Sequence, residues 1–235
     1  MNKEGESPEI SVVIPCLNEE KALSLCLDEI KNTLDVNKLN AEIIFVDNGS
    51  IDKSLEIAKN KIMEIPYLRI FEEKEKGYGS AYLKGISESR GKFIFMADAD
   101  FSYEFSDIPR FINKLKEGID MVIGNRFMNR ISSESMPWHH KHIGNPLFSF
   151  IIKKIFKINV GDIHCGARAF KAEIFQKITL HTLGMEFASE MIIKAAKAKL
   201  VITEIPIQYR KRIGESKLNF VKDGLRHLKL IMINM

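Results

Sequence analysis

Two carboxylates one residue apart, Asp98 and Asp100, follow directly on the apolar run Lys92-Phe-Ile-Phe-Met96. Aspartates just past a strand end can face one pocket when the turn breaks the pleat. Such a pair suits a hard divalent cation, magnesium or manganese, bridging a few protein carboxylates to phosphate oxygens. The Asp-X-Asp pattern alone is common in surface turns, and its place after an apolar run is what makes it informative. Two more polar groups follow apolar runs in the same way. Asp47-Asn48-Gly49-Ser50, with Asp52, closes Ala41-Glu-Ile-Ile-Phe-Val46, and Pro15-Cys16-Leu17-Asn18-Glu19-Glu20 closes Ile10-Ser-Val-Val-Ile14. Taken singly, each reads equally well as a turn and a helix cap, with Ser50 or Asp52 capping a helix near Ile51 and Asn18 capping one that runs to about Leu34. Three such groups at strand ends of one sheet point to a ligand site.

The elements that must hold these residues alternate. Strands are expected at Ile10–Ile14, Ala41–Val46, Leu68–Phe71, Lys92–Met96 and Asp120–Ile123. Helices are expected between them at Asn18–Leu34, Ile51–Ile62, Ser80–Ser89 and Ser106–Lys116. That alternation predicts an α/β fold with a mostly parallel sheet flanked by helices, which binds ligands beyond the carboxyl ends of its strands. The second half is less regular. It reads as a long loop over Asn125–His142, helices over Ile143–Phe156 and Gly184–Lys197, and a strand over Leu200–Ile205. From Leu218 onward Val221, Leu225, Leu228 and Met232 form one apolar helical stripe. No repeat or linker interrupts the chain, so a single domain over 1–217 with an amphipathic helical extension over 218–235 is expected.

Composition narrows the class. With 235 residues, 45% hydrophobic and 28% charged, the chain has the make-up of an ordinary folded protein, which excludes disorder and collagen-like sequence. Three cysteines are too few for a disulfide scaffold and fit a reducing compartment. The start, Met1 to Glu6, has no signal-peptide-like apolar stretch, and no run approaches the roughly 20 apolar residues that cross a bilayer. After Pro206 seven basic residues face two acidic ones, while the rest of the chain is slightly acidic. That basic tail reads either as a solvated helix or as a surface for phosphate or anionic lipid. Nucleic acid is not expected as a partner, because no binding motif or domain-wide basic surface accompanies it. Gly77-Tyr-Gly79 with Gly85 lacks the dinucleotide spacing. His139-His140-Lys141-His142 lacks the paired cysteines or helical His pair of a zinc site.

In order along the chain, Pro15-X-X-Asn18-Glu19, Val46-Asp47-Asn48-Gly49-Ser50-X-Asp52 and Asp98-Ala99-Asp100 resemble the family 2 glycosyltransferases of the GT-A fold. Downstream, Gly124-Asn125-Arg126-Phe127, Gly144-Asn145-Pro146, Asp162-Ile-His-Cys165-Gly166-Ala-Arg168 and Arg212-Ile-Gly214-Glu-Ser216-Lys217 resemble the polyprenyl-phosphate, or dolichyl-phosphate-type, hexose synthases. The resemblance implies that Pro15, Asn18, Glu19, Asp47, Asn48, Gly49, Ser50 and Gly77 contact the nucleotide. Asp98 and Asp100 would hold a magnesium or manganese ion and the donor diphosphate. Arg126 and Arg212 would grip phosphates, joined on the acceptor side by Lys141, Asn145, Arg168 and Lys217, with Asp162 as an orienting carboxylate. Two positions depart from the pattern: Asn48 stands where a second aspartate is frequent, and Ser102 where a glutamine can add a metal ligand.

The implied reaction moves a hexose from a UDP- or GDP-sugar to polyprenyl phosphate with inversion. A lipid phosphate is already anionic near neutral pH, so it needs alignment and charge neutralisation more than a general base. Such an acceptor implies a peripheral enzyme at the cytoplasmic face of a membrane, with Ile143–Phe156 and Leu218–Met232 as interfacial helices. Similar proteins often continue into membrane-spanning helices at about this point, and a homo-oligomer is compatible with the sequence. Two alternatives share the scaffold: transfer to a glycan hydroxyl with Glu186 or Glu190 as base, and a non-catalytic nucleotide- or membrane-binding module.

Overall fold

The computed structural model describes residues 7–129, 145–214 and 220–235. Strands β1 (Ile10–Cys16), β2 (Ala41–Asp47), β3 (Leu68–Glu72) and β4 (Phe93–Met96) alternate with helices α1 (Leu23–Val36), α2 (Ser54–Lys61) and α3 (Tyr78–Glu88). Helix α4 (Ile108–Lys116), β5 (Met121–Asn125), α5 (Asn145–Phe156), β6 (Arg168–Lys171), α6 (Phe187–Lys197), β7 (Ile202–Pro206) and α7 (Phe220–Asn234) follow. The seven strands lie in the order β3-β2-β1-β4-β6-β5-β7, all pairs being parallel except those that β6 makes with β4 and β5. The expected α/β architecture is therefore the observed one. Every residue of β2 and β4 is buried, and β1 is buried but for half-buried Pro15. This is the pattern of strands covered on both faces, and it explains why they read as continuous apolar runs.

Register sets the ends of the strands together. Cys16 lies opposite Asp47, and Asp47 opposite Glu72, so the turns after β1 and β2 start side by side. On the other flank of β1, Val13 pairs with Met96, so Asp98 and Asp100 leave the sheet at the same edge. The chain runs outward from β1 to β2 and β3, then returns to place β4 on the opposite side. That reversal opens the crevice where ligands bind in open α/β sheets.

The observed elements differ from the expected ones at their ends. Helices α1 and α2 begin at Leu23 and Ser54 rather than Asn18 and Ile51, because the intervening residues hydrogen-bond across from one turn to the other. Helix α3 begins earlier, at Tyr78, since the Leu183 carbonyl accepts the Gly79 and Ser80 N–H groups and caps that end. The short antiparallel β6 has no sequence signature: four residues, opened by an arginine, with only Ala169 and Phe170 apolar and fully buried.

Helix α7 joins the body through α6. His227 Nδ1 lies 2.9 Å from Ser189 Oγ, which lies 3.2 Å from His164 Nε2, and Phe148 of α5 packs on both imidazoles. Leu230 and Ile231 are buried on this side, whereas Leu225, Leu228, Met232 and Ile233 are exposed on the other. No helix among the described residues is long and apolar enough to cross a membrane. Burial lowers the His227 imidazole from its ordinary 6.5 to about 4, with nearby Asp223 opposing the shift. The unfolded chain therefore takes up a proton that the folded chain refuses. Stability present above about pH 6.5 is lost as pH falls towards 4, at most about 3 kcal/mol from this group. Urea unfolding at a series of pH values is expected to show this slope in the native protein and a shallower one in His227→Gln.

Candidate active site

The turns after β1 and β2 are stitched to each other. Asn18, in a left-handed conformation at φ 53°, donates its N–H to Ser50 Oγ at 2.9 Å and accepts the Ile51 N–H at 2.8 Å. The Glu19 N–H donates to Ser54 Oγ, and Glu20 and Asp52 exchange bonds with the opposite turn. Asn18 thus steadies the second turn instead of capping α1, whose start carries no side-chain cap. Asp47 Oδ2 accepts the Gly49 and Ser50 N–H groups at 3.0 and 3.1 Å. Its Oδ1 is buried with no hydrogen-bond partner among the described residues. A buried acceptor left open is costly, so this oxygen is a natural place for a ligand donor.

Asn48 and Gly77, expected at the nucleotide, are engaged in the scaffold. The Asn48 amide donates to the Glu73 and Glu75 carbonyls at 3.1 and 2.7 Å, and its oxygen accepts the Gly77 N–H at 2.8 Å. A carboxylate has no N–H to offer those carbonyls, which accounts for asparagine here. Gly77 sits at φ 150°, and a Cβ there would lie 2.1 Å from the Leu183 carbonyl oxygen. Lys76, unnoticed in the sequence, donates to the carbonyls of Asn48 and Gly49.

Beyond β4, Asp98 Oδ1 accepts the Tyr82 hydroxyl at 3.0 Å, and the Tyr82 ring stacks on Phe187. Burial and then the neighbouring Asp100 charge push the Asp98 carboxyl above its usual range. Phe101 is left-handed at φ 62° and turns Ser102 back, so that its N–H and hydroxyl both donate to Asp100 Oδ1. Asp100 Oδ2 pairs with Arg212 at 2.7 Å. Arg212 arrives on an extended strap that runs along the Asp100–Tyr103 segment. The Arg210 and Ile213 N–H groups bond to the Ser102 and Asp100 carbonyls, and Tyr209 bridges Tyr103. Arg210 anchors the strap by pairing with Glu29 and lying over the Phe101 ring at 4.5 Å.

Two further arginines, Arg126 and Arg168, are bonded to protein groups. Arg126 binds Asp162 through two bonds of 2.7 Å, and its guanidinium lies 5.1 Å from the centre of the Tyr209 ring. Asp162, fully buried, is thereby committed to Arg126, and Glu204 on β7 fixes its loop by accepting the Gly161 and Asp162 N–H groups. Arg168 is fully buried and donates to the carbonyls of Ile163, Cys165 and Ala188. It ties the Asp162–Arg168 loop to α6 and is closed to an acceptor phosphate. Glu190 is likewise occupied, accepting the His181 and Thr182 N–H groups and the Thr182 hydroxyl. Lys141, Lys217, the Asn145 side chain and the His139–His142 cluster lie outside the described residues. Tyr82, Glu204 and Tyr209 were missed in the sequence; a glutamate inside the apolar run Val201–Ile205 was the one available signal.

A mostly parallel sheet carrying these groups at its carboxyl edge is the GT-A glycosyltransferase fold. The pattern that defines "Glycosyl transferase family 2" matches residues 11–179, and the chain belongs to that family. It is 37% identical over 230 residues to the low-salt glycan biosynthesis hexosyltransferase Agl6 of Haloferax volcanii, covering 97% of this chain and 54% of that protein. It is 31% identical to a dolichol-phosphate mannosyltransferase of Pyrococcus furiosus, over 95% of this chain and 63% of that one. A dolichyl-phosphate hexose transferase of Haloferax volcanii is 30% identical over 90% of this chain and 87% of its own length. The chain thus spans between about half and two thirds of the length of the first two relatives. In fold it is similar to glucosyl-3-phosphoglycerate synthase of Mycobacterium tuberculosis in complex with Mn2+, UDP and phosphoglyceric acid. There the TM-score is 0.74 at 17% identity, over 97% of this chain and 78% of that one.

If Asn48 is the clasp of the loop before α3, Asn48→Asp should cost about 2 kcal/mol or more, as two carbonyls lose their donors and face a charge. Urea denaturation against the native protein measures this.

Proposed function

We propose that the chain transfers a hexose from a UDP- or GDP-sugar to polyprenyl phosphate with inversion, assisted by a magnesium or manganese ion, at the cytoplasmic face of a membrane. The observation that carries this reading is the convergence of Asp98, Asp100 and Arg212 at the edge of the sheet where Asp47 keeps an open acceptor. The residues fit a hard cation. Both carboxylates are oxygen donors, and the raised Asp98 pKa reflects negative charge held close in a buried place, which a cation would relieve. Asp98 and Asp100 would hold the ion, and when bound it would neutralise charge on the donor diphosphate. Ser102, its hydroxyl committed to Asp100, orients that ligand instead of adding another.

The protein's own groups then have separable tasks. Asp47, with Asn18 and Glu19 beside it, receives the nucleoside. Arg212 can pass from Asp100 to the diphosphate, whose negative charge grows as the anomeric C–O bond breaks. A lipid phosphate oxygen attacks the anomeric carbon from the opposite face, forming the new C–O bond while the nucleoside diphosphate leaves. No proton need be removed from this nucleophile, which suits a site where Asp162 and Glu190 are both held by other partners. Arg126, with Lys141, Asn145 and Lys217 as further candidates, serves the acceptor phosphate. Support for a membrane surface comes from α5 and α7, where exposed Leu147, Phe150, Leu225, Leu228 and Met232 accompany exposed Lys153, Lys154 and Lys229.

Thermal unfolding with UDP or GDP, with and without manganese, tests the donor site. A nucleotide at about 100 times its dissociation constant should stabilise the chain by about 2.7 kcal/mol, only when manganese is present. Asp100→Ala should remove that manganese-dependent shift and lower transfer to polyprenyl phosphate by about 100-fold or more. Failure of both nucleotides to shift the melting temperature would overturn the reading.

A further inference from the structure

One acidic side chain, adjacent in sequence to the Phe187 that stacks on Tyr82, has no role in the scaffold. Glu186 stands at the start of α6, and its Oε2 is buried with no hydrogen-bond partner among the described residues. This is the same condition as Asp47 Oδ1 on the nucleotide side. The setting holds it firmly. On one side Glu190 accepts the N–H groups of His181 and Thr182, and the Leu183 carbonyl caps α3. On the other, Phe187 stacks flat on Tyr82 at 5.7 Å, and the Tyr82 hydroxyl bonds Asp98 at 3.0 Å. One ring stack and one hydrogen bond therefore separate the neighbour of Glu186 from the first carboxylate of the Asp98/Asp100 pair. Gly184 leaves room for the carboxylate, since a Cβ there would lie 2.4 Å from Glu186 Oε2 and 2.7 Å from Nη1 of Arg226, the cation of α7 that comes near this oxygen without a hydrogen bond to it.

We infer that Glu186 reads the donor sugar, accepting hydrogen bonds from hydroxyls of the transferred hexose. The inference rests on the hexosyl-transfer reading and deepens it. An ionised carboxylate only accepts hydrogen bonds, whereas a hexose presents several hydroxyl donors, and charge-assisted bonds of this kind are strong and directional. A buried acceptor without a partner is unfavourable in the free protein, and a ligand hydroxyl removes that deficit on binding. A site built to hydrogen-bond a substrate hydroxyl also rejects ligands lacking it far more strongly than an apolar pocket could. Glu190, four residues further along the helix, has the opposite character: its oxygens are already taken by protein donors. The two glutamates thus divide, one holding the loop and the other open to the sugar.

Calorimetric titration of UDP, UDP-glucose, GDP and GDP-mannose into the native chain, Glu186→Gln and Glu186→Ala tests this. In both variants the free nucleoside diphosphate should bind as it does to the native chain. The matching nucleotide sugar should lose about 10-fold or more in Glu186→Ala, or about 1.4 kcal/mol, and less in Glu186→Gln, which keeps an acceptor. The melting temperature of the unliganded variants should be unchanged or higher, because no protein donor loses its partner. An equal loss for diphosphate and nucleotide sugar, or no loss for either, overturns the inference. So does unchanged nucleotide-sugar affinity with abolished turnover, which would make Glu186 a base. If the native chain binds no nucleotide sugar at all, the hexosyl-transfer reading itself fails and takes this inference with it.

Discussion

Parallel pairing of β1 with both β2 and β4 is the constraint from which the site follows. With Cys16 opposite Asp47 and Met96 opposite Val13, the three chain segments must leave the sheet at one edge. Strands covered on both faces carry apolar side chains almost throughout, so polar groups collect where the strands stop. The turns after β1 and β2 then sit close enough to satisfy each other's N–H groups, and both flanking helices start late as a consequence. Late helix starts and left-handed Asn18 are the local signs of this mutual bonding.

Backbone carbonyls and buried carboxylates decide the fate of most of the cations. Arg168 points inward because the loop before β6 presents carbonyls with no strand or helix to pair them, and a guanidinium offers several donors in one plane. Arg126 meets Asp162 at the heart of the same loop, with Glu204 fixing the backbone beneath. Neither arrangement is cheap electrostatically, since buried pairs must offset desolvation. Their return is geometric: the Asp162–Arg168 loop is tied to β5, β7 and α6, and Arg126 lies over the Tyr209 ring at the start of the strap that brings Arg212 to Asp100.

Asp47 Oδ1 and Glu186 Oε2 are buried carboxylate oxygens that accept no hydrogen bond among the described residues. Both side chains sit in bonded surroundings. Asp47 is fixed through its other oxygen, and Glu186 through the stack of Phe187 on Tyr82 and the Glu190-bound loop. Local departures from an otherwise consistent fold are where function is to be sought.

The sequence by itself determined the layered α/β architecture, the edge of the sheet that carries the polar turns, the Asp98/Asp100 pair and the family. All of these depend on local periodicity and on short ordered motifs. Tertiary structure alone decided which polar residues face the crevice. Asn48, Gly77 and Arg168 read as ligand contacts in the sequence, yet they serve the Glu73–Gly77 and Asp162–Arg168 loops. Glu186 and Glu190 read alike, yet one is bonded and the other open. The physical reason is that residue type fixes what a side chain can donate or accept. Whether a backbone group or a ligand receives it depends on which distant segment packs alongside, and β6 and the strap carry too little periodicity to announce themselves.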